Sequence, residues 1–380
     1  MPHPPRAPRR PLREVARWEW RRGDGGDPVV LASAFLAGHG FPVSPLGGAA
    51  RPGPEVAGAA LLLGAAALPA DLAARTVPPA TPCPEVPDAA VVVFADADGP
   101  GDPPPGPARI GPWTPSWTPA EHAAAVERIR AAIARGDLYQ ANLVGHRSAP
   151  FEGDPAAVAA ALARVPNAPY AGGLAGAGWS VHTASPESFL EVGGEGVVRV
   201  RPIKGTAADA ATLLASAKDR AEHVMIVDLE RNDLARVATT GTVTVPVLYD
   251  VRPLAGVWHA ESTVEARLAP GTGLAELLAA TFPGGSVTGA PKAAALKIIH
   301  ETEPLGRGPS MGALGWVAPD GRVDLGLTIR TFAVAGGRVH LWTGGGVTWG
   351  SDPAGELAEA AAKAAPLLRA LDPLKVSRPD

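Results

Sequence analysis

The chain has 380 residues, a net charge of −4 and 19% charged against 46% apolar residues, the balance of a soluble globular protein with ample core and not of a nucleic-acid binder or a disordered tail. Its longest strongly apolar run, 56–68, is too short for a membrane span of about 20 residues and reads as a buried helix. The single cysteine, Cys83, excludes an internal disulfide or a cysteine-built metal site and suits a reducing cytoplasm.

The first 22 residues carry seven arginines and several prolines without an apolar core segment, so residues 1–11 read as a loose arm and not as a secretory leader. From 16 to 93, short apolar strands and an alanine-rich helix alternate with Gly/Pro turns and show no catalytic cluster; residues 1–98 read as an N-terminal scaffold portion. Residues 99–118 are dense in proline and glycine, which forbids a continued helix or central strand and marks a connection. Thr118-Pro119-Ala120-Glu121 then supplies an N-cap, a proline at the first helical position and an acid in the first turn. This helix opens the catalytic region, 119–373, before a short tail, 374–380. Strand-like runs at 138–144, 197–200, 242–248 and 338–342 alternate irregularly with helical runs at 210–234, 291–301 and 354–370. With hairpin spacing at Asp320-Gly321 and Gly336-Gly337, this predicts an α+β fold of antiparallel sheets covered by helices, not a repeating βαβ order.

Several segments carry chemistry. In the run from Phe282 to Lys292, glycines bare the backbone ahead of a helix, a geometry that suits an anion. Gly289 is followed by Ala290-Pro291 and not by Lys-Ser/Thr, so a phosphate loop is excluded; a carboxylate site and a tightly packed turn both remain open. Gly344-Gly345-Gly346 exposes backbone amides or simply turns the chain. Glu356, Glu359 and Lys363 share one helix face, where they suit either a hard cation or a solvated Glu359–Lys363 pair, and the residues alone favour the pair. Glu222 reads as helix-surface charge, and Asp228, Arg231 and Asp233 as a structural ion-pair network. Lys204, between a strand and a glycine turn, would become a nucleophile if desolvated; Glu187 would serve as a general acid if buried; His259 would shuttle protons or pack beside Trp258. Taken singly, each of these three is more commonly structural.

Taken together and in order, Gly136-Asp137-Leu138-Tyr139-Gln140-Ala141-Asn142-Leu143, SPESF, PIKGT, AKDRAEHVMIVDLERNDLARV, FPGGSVTGAPK, Ile329-Arg330-Thr331 and GGGVTWGSDP resemble the chorismate-utilising enzymes over about 119–371. The resemblance implies a four-layer α/β/β/α core with two packed antiparallel sheets, holding chorismate and magnesium. It implies that Glu222 and Glu359 are metal ligands with Glu356 close by, and that Arg330 and the amides of Gly345 and Gly346 hold the enolpyruvyl carboxylate. Thr288 and Gly289 would line the ring carboxylate, and Lys363 would balance charge.

Isochorismate- and salicylate-forming relatives resemble one another in a lysine base where this chain has Gln140, which favours amination here. Lysine within PIKGT resembles the aminodeoxychorismate-forming branch, where anthranilate-forming relatives have alanine. Lys204 is then expected to attack C2 while Glu187 assists departure of the C4 hydroxyl, with His259 at the family's site histidine. Ammonia is expected from solution or from a separate glutamine amidotransferase subunit, since Cys83 stands alone in a proline-rich loop. The N-terminal portion lacks the GGWxGY-like segment of similar chains. Anthranilate formation, and a non-catalytic carboxylate-binding scaffold, are the alternatives.

Overall fold

Apolar residues occupy both faces of the central strands, and this dictates two sheets stacked between helices. Along one strand, Phe332 and Val334 point into one apolar cluster while Ala333 and Ala335 point into another; along its neighbour, Val339 and Leu341 face the first cluster and Trp342 the second. The computed structural model describes residues 11–98, 103–207, 209–254 and 257–375.

Every strand pairing within the two sheets is antiparallel among the described residues. The larger sheet runs β1 (Leu12–Trp20), β3 (Ala89–Asp96), β2 (Val56–Leu63), β15 (Ala313–Val317), β16 (Val323–Leu327), β9 (Ser188–Val192), β10 (Val197–Val200), β13 (Val257–Arg267) and β11 (Ile203–Ala207), with β12 (Thr244–Leu254) also on β13. The smaller runs β14 (Gly289–Ala290), β6 (Gln140–Gly153), β18 (Arg338–Val347), β17 (Thr331–Ala335), β8 (Trp179–Ser185) and β7 (Tyr170–Gly176), with β4 (Ala108–Ile110) and β5 (Thr114–Pro115) on β6. The main core lies between them, joining Val91 and Leu325 of one sheet to Val181 and Ala333 of the other.

The helices form the outer layers. On the larger sheet lie α1 (Pro28–Gly38), α6 (Ala217–Ala235) and α7 (Leu274–Thr281), whose Leu36, Val227 and Leu278 join the main core. On the smaller sheet α4 (Ala156–Leu162) and α9 (Pro353–Ala370) bury Val158 and Leu367 against Phe332, while α3 (Pro119–Ala134) and α8 (Lys292–Thr302) bury Ile129 and Ile299 against Leu143. The short α2 (Ala70–Ala73) and α5 (Ala210–Ala215) complete the set among the described residues. This is the four-layer α+β arrangement. The N-terminal strands continue the larger sheet through β2 and β15.

Local signals place several ends. Thr118 caps α3, its hydroxyl accepting from the Glu121 amide at 3.3 Å while the Glu121 carboxylate accepts from the Thr118 amide at 2.6 Å. The helix expected over 210–234 is divided at Ser216, whose hydroxyl caps α6 by accepting from the Asp219 amide at 3.2 Å. Residues 56–68, expected as a buried helix, instead form β2 and a following turn; a strand buried on both faces shows no polar alternation, so its pattern mimics that of a buried helix. Gly344–Gly346, open to a turn reading, lie inside β18 paired with β6. A Cβ at Gly344 would stand 1.8 Å from the Leu143 carbonyl oxygen, so glycine here serves close backbone approach. The loose arm and the tail, apart from Pro11, Leu374 and Lys375, lie outside the described residues.

Candidate active site

One wall of the site grows from the larger sheet. Glu187 occupies the turn between β8 and β9, is 7% exposed, and accepts from the Ile203 amide at 3.4 Å. That bond sets it beside the start of β11, where Lys204 follows. Lys204 lies opposite Ala260 and Thr206 opposite His259, so Gly205 is a bulge, with φ +74°; a Cβ there would stand 2.5 Å from Leu213 Cδ1.

Burial pushes the Lys204 ammonium below its ordinary lysine range, with Glu187 opposing that shift; Lys363 lowers it further, while Glu222 and Glu359 raise it. Burial pushes the Glu187 carboxyl above its ordinary range, opposed by Lys204, the Ser286 hydroxyl, the Ile203 amide and Lys363. Burial also lowers half-buried Arg330, which Glu187 opposes, and lowers His259, which a backbone hydrogen bond at Gly205 opposes and Arg330 reinforces. The structure thus links Lys204 electrostatically to Glu187, Glu222, Glu359 and Lys363, and Glu187 through Arg330 to His259. Arg330 itself holds φ +51°, a left-handed backbone uncommon outside glycine.

The facing wall is built from β18 and α9. Asp352 caps α9 by accepting from the Gly355 amide at 2.8 Å, and this orients Glu356, Glu359 and Lys363 toward the strand. The Lys363 Nζ lies 2.7 Å from Glu359 Oε1 and donates to the Gly344 carbonyl at 3.0 Å. The i,i+4 pair favoured by the residues alone is therefore present, within the site to which the family resemblance pointed. A Cβ at Gly345 would stand 3.1 Å from Glu359 Oε1 and 3.3 Å from Glu356 Oε2, so both carboxylates lie over the glycine strand.

At Gly346 a Cβ would stand 2.5 Å from the Gln140 amide nitrogen. Gln140 is fully buried, and neither amide atom has a hydrogen-bond partner among the described residues. A buried amide left in this state calls for a ligand or water.

The loop from Phe282 closes the end of the site. Thr288 is buried and its hydroxyl donates to the Gly284 carbonyl at 2.8 Å. Gly289, with φ +147°, would place a Cβ 2.1 Å from the Gln140 carbonyl oxygen, so only glycine admits the β14–β6 contact. The loop is also anchored by ions whose roles the sequence did not reveal: the Gly285 amide donates to Glu230 at 3.0 Å, and Lys292 Nζ donates to Asp233 at 2.7 Å and to the Thr281 carbonyl at 2.8 Å. Asp233 accordingly turns inward, whereas Asp228 and Arg231 pair on the surface at 2.8 Å. Burial first, then Asp233, pushes the Glu230 carboxyl up to about 8. His223 is buried against Ser262 and Tyr249, and burial together with Lys204 lowers it to about 4. A further buried pair, Glu303–Arg307 at 2.7 Å, escaped pattern reading because α8 ends at Thr302 ahead of Pro304, so the two residues meet in a loop and not on a helix face.

Among the described residues no three His, Cys, Asp or Glu side chains converge into a ready-made cage. Charges of Glu222 on α6 and Glu359 on α9 nevertheless both act on Lys204, and Glu356 lies beside the second over Gly345. One or two hard oxygen donors with room for water and substrate oxygens fit magnesium.

The comparisons agree with this architecture. Residues 79–369 match the family described as chorismate binding enzyme, and the chain belongs to that family. It is 38% identical over 270 residues to aminodeoxychorismate synthase component 1 of Salmonella typhimurium, covering 68% of this chain and 59% of that protein. It is 41% identical over 270 residues to anthranilate synthase component 1 of Streptomyces coelicolor, covering 68% of this chain and 53% of that one. The match thus spans between half and three fifths of these relatives' lengths. In fold, the chain is similar to anthranilate synthase component I from Streptococcus pneumoniae, with a TM-score of 0.78 and 24% identity over 97% of this chain and 94% of that one. No helix among the described residues is long and apolar enough to cross a membrane.

Proposed function

We propose that this chain is the ammonia-using subunit of an aminodeoxychorismate synthase, converting chorismate and ammonia to 4-amino-4-deoxychorismate. The observation that carries this reading is the half-buried Lys204 set beside the buried Glu187, a potential nucleophile paired with a potential acid. Burial favours the neutral form of each, the free amine and the carboxylic acid.

Lys204 Nζ attacks C2 of the ring, both conjugated ring double bonds shift, and the C4–O bond breaks as Glu187 delivers its proton to the departing hydroxyl, releasing water. Ammonia then attacks C4, the C2–N bond breaks and the lysine amine is regenerated, while the Glu187 carboxylate recovers a proton from the new ammonium. Arg330 and the strand around Gly345 and Gly346 would hold the enolpyruvyl carboxylate, Thr288 and Gly289 would line the ring carboxylate, and Lys363 would balance charge. His259 would adjust protons near Gly205 and Arg330. Glu222 and Glu359, with Glu356 beside them, would hold magnesium, which supplies Lewis-acid neutralisation of the ring carboxylate when bound.

Cys83 is buried, and burial pushes its thiol up to about 12, so it is no glutaminase nucleophile. Ammonia would come from solution or from a separate glutamine amidotransferase subunit.

Anthranilate formation is the second reading, supported by the 41% identity to an anthranilate synthase component; Lys204 in PIKGT favours the first. Mass spectrometry of products from chorismate, magnesium and ammonium chloride separates them. 4-Amino-4-deoxychorismate without pyruvate is expected. Anthranilate with pyruvate would transfer the chain to the second reading, and intact chorismate would sink both.

A further inference from the structure

Glu303 and Arg307 are among the least exposed ions described, with side chains 3% and 5% accessible. Arg307 makes a two-pronged pair with Glu303, Nε to Oε2 at 2.8 Å and Nη2 to Oε1 at 2.7 Å. Its remaining bonds reach backbone: Nη1 donates to the Val287 carbonyl at 2.7 Å and Nη2 to the Asn142 carbonyl at 2.6 Å. Glu303 Oε1 in turn accepts from the Val144 amide at 2.9 Å.

These are not arbitrary anchor points. Val287 immediately precedes Thr288, whose carbonyl accepts from the Asn142 amide at 2.7 Å. Asn142 lies opposite Gly346 in the β6–β18 ladder, and Leu143 lies opposite Gly345. One guanidinium plane therefore spans the loop assigned to one carboxylate of chorismate and the strand pair assigned to the other. Replacing a buried ion pair by apolar residues of similar volume is often neutral or stabilising, so burial of this pair is by itself weak evidence of a stabilising role.

We infer that Arg307, braced by Glu303, is a positioning residue that sets the separation of the two carboxylate-holding elements. The inference rests on the chorismate reading of the site. Because Arg307 contacts neither Lys204 nor Glu187 in the bonds above, its loss should weaken substrate binding more than the chemical step. Lysine cannot replace it, since an ammonium lacks the planar fork that reaches both carbonyls while pairing Glu303.

The test uses Arg307→Lys and the paired replacement Arg307→Met with Glu303→Leu, each assayed for chorismate consumption beside the unmodified chain, with melting temperature measured in parallel. The expected result is folded protein whose chorismate KM is raised about tenfold to 100-fold while kcat changes much less. A folded variant of either kind with an unchanged KM overturns the inference. Should neither fold, Arg307→Ala with millimolar guanidinium decides, because a cavity of about 240 Å³ borders Arg307 and Glu303 and admits the ion. Guanidinium that lowers a raised KM supports the inference; guanidinium that restores the melting temperature while KM stays unaltered overturns it. Failure of the unmodified chain to consume chorismate would be a different result, removing the functional reading itself.

Discussion

The two walls of the cleft are built on opposite principles. On the larger-sheet wall, Glu187 and His259 are buried, Lys204 is driven from its ordinary proton affinity by burial before any other cause, and the neighbouring His223 on α6 is fully buried. On the smaller-sheet wall, the chain strips side chains away with Gly344–Gly346, and Glu359 and Lys363 remain 51% exposed. Desolvation makes the first wall suited to covalent and proton chemistry, whereas on the second the half-exposed Glu359 and Lys363, above a buried Glu356 and Gln140, are suited to receiving an ionic ligand with its water.

The comparison breaks most severely at Lys204. Lys204→Ala is expected to lower kcat by about 10³-fold or more, and Lys204→Arg to fail as well because guanidinium stays protonated; steady-state rates with ammonium chloride check both. Glu187→Gln comes next, with an expected loss of about 10²- to 10⁴-fold. Its pH dependence follows from the directions of the shifts. Lys204, lowered, gains its free amine below the ordinary lysine range and sets the acid limb; Glu187, raised, loses its acid form above the ordinary carboxylate range and sets the alkaline limb. The residual rate of Glu187→Gln should lack the alkaline limb. At the proposed metal ligands, Glu359→Gln on α9 and Glu222→Gln on α6 should raise the half-saturating magnesium concentration by at least about tenfold, read from a titration of rate against metal.

The smallest effect lies behind the loop. Glu230 is raised to about 8, so its contribution is fully present below the ordinary carboxylate pKa and fades as pH climbs through about 8. Glu230→Gln, a permanently neutral acceptor for the Gly285 amide, should flatten that decline and melt higher than the unmodified chain at pH 8.

Local chemistry was legible in the sequence wherever it acts over a few residues. The N-cap at Thr118 with Glu121 in the first turn and the strand over 197–200 depend on neighbours, and the family and its paired sheets followed from ordered motifs. What could not be read depends on distant partners. Asp233 and Lys292 are 59 positions apart, so nothing local turns Asp233 away from Asp228 and Arg231. Val56–Leu63 looked helical because burial on both faces erases alternation, and Gly344–Gly346 looked like a turn because the Leu143 carbonyl that demands glycine belongs to another strand. Gln140 stood out as a branch marker, yet its unsatisfied amide is visible only once β6 and β18 are paired.

The central claim is that Lys204 forms a bond to the ring, and trapping that bond tests it most directly. Enzyme mixed with chorismate and magnesium without ammonia, then denatured and digested, should yield the Lys204 peptide carrying chorismate less one water, detected by mass spectrometry. An unmodified Lys204 peptide, in a preparation that forms C4-aminated product once ammonia is added, would contradict the account.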